Sequence, residues 1–144
     1  MHRAPWVVSL SWLIGLSLLA AACATSTPPG SPTAQATDVS GAWIGSYRAQ
    51  SGNTGGCTLI LKQDNASVSG TIQVMNVDRS FGATPQVLRD GRLVGGKLLF
   101  SATGQDGGVF RADFNVKGGK VIEGWGRHTG PGYDADVQFT LARQ

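Results

Sequence analysis

From Val39 to the C-terminus, apolar and polar residues alternate with a period of two. Phe110, Ala112, Phe114 and Val116 interleave with Arg111, Asp113, Asn115 and Lys117. Val137, Phe139 and Leu141 interleave with Gln138, Thr140 and Ala142, and Cys57, Leu59 and Leu61 with Thr58, Ile60 and Lys62. Val68, Gly70, Ile72 and Val74 do the same against Ser67, Ser69, Thr71 and Gln73. A strand sends successive side chains to opposite faces, so each run has one apolar and one mostly polar face. No stretch after residue 39 repeats every 3.6 residues. Between the runs stand Asp64-Asn65, Asp90-Gly91, Gly95-Gly96, Gly107-Gly108, Gly118-Gly119 and Gly130-Pro131-Gly132. Gly-Gly and Asp-Gly between alternating runs are hairpin chemistry. Asp90-Gly91 also fits a bulge within its strand.

The pattern predicts eight strands, at about 40–49, 57–63, 67–76, 86–94, 97–103, 109–117, 120–128 and 134–142. Short strands joined by tight hairpins make an antiparallel meander, and closing it hides both sheet edges. The expected fold is therefore all-β, an eight-stranded antiparallel up-and-down β-barrel. A two-sheet β-sandwich has the same local pattern and is the alternative. Two Trp–Gly strands, Gly41-Ala42-Trp43-Ile44-Gly45 and Glu123-Gly124-Trp125-Gly126, form a faint internal echo.

Composition agrees. Glycine supplies 21 of 144 residues, which argues against a helical bundle, since each interior glycine costs a helix about 1 kcal/mol. Hydrophobic residues at 41% and charged residues at 15% suit a globular chain. Two cysteines exclude a disulfide-dense miniprotein, and two histidines, His2 and His128, exclude a histidine-rich metal cage.

Residues 1–22 read as an address. Arg3 is followed by an apolar stretch from Trp6 to Ala22, diluted by Ser9, Ser11, Gly15 and Ser17. A basic start, an apolar middle and small residues before a cut site make a secretory signal. Leu18-Leu19-Ala20-Ala21-Ala22-Cys23 resembles the lipobox of bacterial lipoproteins. The resemblance implies diacylglyceryl transfer to the Cys23 thiol, cleavage before it, and often acylation of its new amine. Several acyl chains anchor stably where one does not. Ala24, where an Asp favours inner-membrane retention, implies an outer-membrane protein facing the periplasm if the cell is Gram-negative. The alternative is an ordinary cleaved signal and a soluble periplasmic product. Residues 23–39, with Pro28, Pro29, Pro32 and many Ser and Thr, read as a disordered tether. Residues 40–144 form the expected barrel domain.

Loss of residues 1–22 removes Arg3 and lowers the net side-chain charge of +3 by one. No basic run or aromatic–basic interleaving points to nucleic acid. Ser40-Gly41-Ala42-Trp43, the Gly-rich hairpins and Phe139-Thr140-Leu141 resemble small calycin-type barrels, the group of lipocalins and avidins. The resemblance implies that Trp43 closes one barrel end, and it identifies no cargo.

Candidate chemistry is sparse. No nucleophile elbow, phosphate loop or zinc spacing occurs, so no catalytic residue, cofactor or metal is expected. The expected function is a non-enzymatic binding or interaction module, for a small apolar ligand or an envelope protein. Trp43 and the loop residues Arg79, Phe81, His128 and Tyr133 are the candidate ligand contacts, with loops 50–56, 77–85 and 128–134 around a barrel mouth. His128 reads as a surface residue at a strand end. One alternative is a structural or partner-binding barrel with a filled interior. The other is a weak hydrolase-type enzyme using His128 with Asp134 and Asp136, two carboxylates on one face of the last strand. Cys57 falls on the core face, as a small apolar residue.

Overall fold

Alternation along each run folds into strands paired with their neighbours, in a computed structural model describing residues 37–75 and 84–144. The strands are β1 (Gly41–Ala49), β2 (Thr54–Asp64), β3 (Ser67–Val74), β4 (Gln86–Val87), β5 (Arg89–Val94), β6 (Lys97–Thr103), β7 (Val109–Lys117), β8 (Val121–Gly130) and β9 (Tyr133–Arg143). All pairings are antiparallel, in the order β2-β1-β9-β8-β7-β6-β5-β3-β4, and β2 also pairs with β3. That last pairing closes the ring. Leu88 separates β4 from β5, and the two act as one stave, so the barrel has eight staves. The expected up-and-down barrel is the fold, and the sandwich alternative is excluded.

The hairpins use the turn chemistry expected of them. Gly95 and Gly96 both adopt positive φ (57° and 79°), a geometry whose twist matches that of the flanking strands. Asp90-Gly91 is no hairpin. Asp90 takes a positive φ of 54°, and the β5–β6 register shifts between Arg89 and Arg92, so the pair forms a bulge. The extra residue brings Leu88 and Leu93, five apart, both to the inner face: Leu88 is buried and Leu93 packs against the core.

Inside, side chains fill the barrel. Leu59, Ile72, Leu98, Phe114, Ile122 and Leu141 are fully buried. Phe114 lies 5.2 Å from Phe139 and 5.6 Å from Phe100 between ring centroids, and Phe110 lies 5.5 Å from Phe139. Edge-on and tilted rings at these separations add to the burial energy. Cys57 is buried and free, as the alternation predicts. Strand glycines serve curvature here. A Cβ on Gly45 would stand 2.0 Å from the Thr140 carbonyl oxygen, so β1 runs too close to β9 at that point for any side chain.

One end is closed by chain and side chains together. Trp43 is fully buried and its indole Nε1 donates to the Val39 carbonyl at 2.9 Å. Val39, placed at the edge of the tether by its sequence, is also fully buried; its amide donates to Gln63 Oε1 at 2.9 Å. Arg143 lies 5.5 Å from the Trp43 ring and donates to the carbonyls of Asp38 and Ser40. The Asp38 carboxyl, accepting from the Ser40 amide and beside Arg143, is held below its ordinary pKa.

Candidate functional site

The opposite end is the mouth. The segments joining β1 to β2, β6 to β7 and β8 to β9 emerge there, and there β3 ends and β4 begins. The sequence puts 50–56 and 128–134 at this end and takes 104–108 only as a turn, and most of the expected loop 77–85 lies outside the described residues. Residues 54–56, 128–130 and 133–134 belong to strands instead.

Alternation decides which side chains enter. Tyr47 on β1, Phe110 on β7 and His128 on β8 face inward near the mouth and are buried. Tyr47 meets Phe139 at 6.0 Å between centroids, and Phe139 meets Phe110, so the rings continue into the core. Tyr47 was missed from the sequence, although Trp43, Gly45 and Tyr47 share one phase of β1.

His128 corrects an expectation. It is 6% exposed, where a surface position was expected. On hydrophobicity, Trp125 should turn inward and carry Arg127 with it. Instead Trp125 is 52% exposed, and Gly124, Gly126 and His128 take the inner phase. The cause lies on β7. A Cβ on Gly126 would stand 2.0 Å from Cζ of Phe110, and one on Gly124 would stand 3.1 Å from Cδ1 of Phe114. Phenylalanine rings cover the two glycines, and a tryptophan side chain in that phase would have no room. The Trp43–Trp125 echo is therefore inverted in phase.

Burial holds the His128 pKa below its ordinary 6.5, and Asp106, in the β6–β7 loop, pulls it partly back up. A neutral imidazole is both donor and acceptor at the mouth. Asp106 also accepts from the Gly108 amide at 3.0 Å, which shapes that loop.

The proposed His128–Asp134–Asp136 cluster does not assemble. Asp134 and Asp136 share the outer face with Arg127, because Arg127 pairs with Asp136 and Thr129 with Asp134 across the β8–β9 ladder. The Arg127 Nε donates to Asp134 Oδ1 at 2.9 Å, and its guanidinium also lies 4.0 Å from Asp136. This bond lowers the Asp134 pKa. The histidine stands on the other side of the barrel wall. Among the described residues, no group of three His, Cys, Asp or Glu side chains could hold a metal ion.

Trp43 is not a mouth residue. It pairs with Arg143, at the far end of β9, while His128 pairs with Ala135 near the start of that strand. Cys23, Arg79 and Phe81 lie outside the described residues, as does the side chain of Tyr133, whose backbone opens β9.

The barrel has a counterpart among solved structures. The chain aligns with the structure described as EF1p2_mFAP2b bound to DFHBI, at a TM-score of 0.55 and 14% identity, over 74% of this chain and 94% of that one. The likeness is one of fold. No protein-family model matches the chain, and no curated protein does.

Proposed function

We propose that the protein is a bacterial envelope lipoprotein, anchored through lipid on Cys23, whose barrel is a non-enzymatic binding module. Inward-facing Tyr47, Phe110 and His128 near the mouth, opposite the end sealed by Trp43, carry this reading. Aromatic faces with one neutral imidazole suit a small, flat, apolar ligand bearing a single polar group. The barrel middle is packed, so the ligand sits shallow, against the rim. EF1p2_mFAP2b, of similar fold, holds the small molecule DFHBI, which supports a barrel of this shape taking such a ligand. The signal and lipobox residues support the anchor, and Ala24 supports an outer-membrane position facing the periplasm if the cell is Gram-negative.

A second reading rests on the packed interior itself: a filled scaffold whose rim grips an envelope protein. One titration separates the two. With DFHBI as the flat aromatic probe, amide shifts of the full chain should saturate and fall at residues 50–53, 104–108 and 128–133. Shifts at the Trp43 end, or none that saturate, would defeat the carrier reading. Independently, Cys23→Ser should move the protein from the membrane fraction to the soluble fraction; undiminished membrane retention would defeat the anchor.

A further inference from the structure

The outer wall is unevenly neutralised. Lys97 pairs with Asp113, Lys117 with Glu123, Arg127 with Asp134 and Asp136, and Arg143 with Asp38. On β5 and β7, Arg89, Arg92 and Arg111 are exposed, and among the described residues none makes an ion pair. The bulge brings them together. Three residues apart on a regular strand, Arg89 and Arg92 would face opposite sides. With the extra residue, Arg89 lies opposite Ser101 and Arg92 opposite Leu99, both on the outer face of β6. Ser101 lies opposite Arg111 in turn, so the hydroxyl stands between two arginines. Like charges set side by side on a sheet destabilise it, and no ion pair among the described residues offsets them.

Two of these arginines line a groove of about 270 Å³, Arg92 and Arg111, together with Asp90, Leu99 and Ser101, and Arg89 stands beside it opposite Ser101. We propose that this groove binds a phosphate group, carried on a lipid headgroup or on a soluble compound. One arginine satisfies a planar carboxylate through its paired donors. Guanidiniums from two strands with a hydroxyl between them reach a tetrahedral anion from several directions. Asp90 in the lining is one negative charge against the two positive charges of Arg92 and Arg111, with Arg89 next to Ser101 at its edge, so the site keeps a net attraction for an anion. A bulge beside a site re-aims side chains, as this one does.

The test titrates the full chain with sodium pyrophosphate and follows the arginine side-chain amide resonances, with sodium chloride at matched ionic strength as reference. Saturable shifts at Arg89, Arg92 and Arg111 are expected with pyrophosphate alone. Arg92→Gln and Arg111→Gln should each weaken binding roughly tenfold, the loss of a charge-assisted bond. Arg48→Gln should leave it within about twofold, since Arg48 lines another groove with no second cation. All three side chains are exposed, so folding should survive. Shifts reproduced by chloride, or an equal loss from Arg48→Gln, would overturn the site. Vesicles then name the source. Capture by phosphatidylglycerol but not phosphatidylcholine, lost in the double variant, assigns a lipid headgroup; pyrophosphate binding without such capture assigns a soluble phosphate compound.

Discussion

Single residues show how burial sets chemistry in this barrel. Cys57 sits inside β2, and burial alone pushes its thiol up to about 12. At neutral pH the reactive thiolate is absent. Ellman's reagent should leave folded Cys57 unmodified and label it only as the chain unfolds; rapid labelling of the native protein would show the thiol exposed. His128 is the titrating counterpart. The fold holds its neutral form and lowers its pKa, so the unfolded chain binds the proton more tightly. Its contribution is complete above 6.5 and is lost as pH falls from there through the lowered folded value. Denaturant melts of wild type and His128→Gln at pH 7 and pH 5 should show a smaller acid loss in the variant. Equal slopes would mean that the ring is not held neutral. The sequence marked His128 among the candidate contacts at the mouth but put it on the surface, because nothing local to β8 shows that Phe110 and Phe114 already occupy the space over its glycines.

At the scale of elements, strand pairs differ in how they are tied. β7, β8 and β9 pair without interruption from Val109–Thr129 to Val121–Ala142. The seam between β3 and the β4–β5 stave holds only through Thr71–Val87, Ile72–Gln86 and Ser67–Arg92, with amide bonds from Leu88 to Gly70 and Leu93 to Ala66. Local opening follows the weakest pairing. Amide hydrogen exchange should be fastest, among strand residues, along Gln86–Arg92, and slowest on β8. The reverse order would refute the seam. The β7–β8 contact can be tested by volume. Gly126→Ala should cost about 1–3 kcal/mol, because the Phe110 ring must leave its place. Unchanged thermal melting would show that the ring is not there. Existence and approximate bounds of the strands were legible in the alternation and the Gly-Gly turns. The β5 bulge was legible only as one of two readings of Asp90-Gly91, since a turn and a bulge ask for the same positive φ.

Across the whole molecule, the barrel is sealed at one end and lined with rings at the other. Trp43 makes the seal, with Val39 beneath its indole and Arg143 beside its ring. Trp43→Ala should destabilise by about 3–5 kcal/mol in equilibrium unfolding, a large aromatic removed from a packed core. A variant as stable as wild type would mean the end is not closed by this residue. The sequence by itself determined the class of fold, the number of staves, the inward phase of most runs and the core place of Cys57. These follow from the period of side chains along a strand, which is local. Tertiary structure alone decided that the β8 glycines face inward, that His128 stands apart from Asp134 and Asp136, and that Arg92 and Arg111 share a groove with Arg89 on the same outer face. Those depend on register between strands distant in sequence, where one ring's volume or one extra residue moves a side chain through the wall.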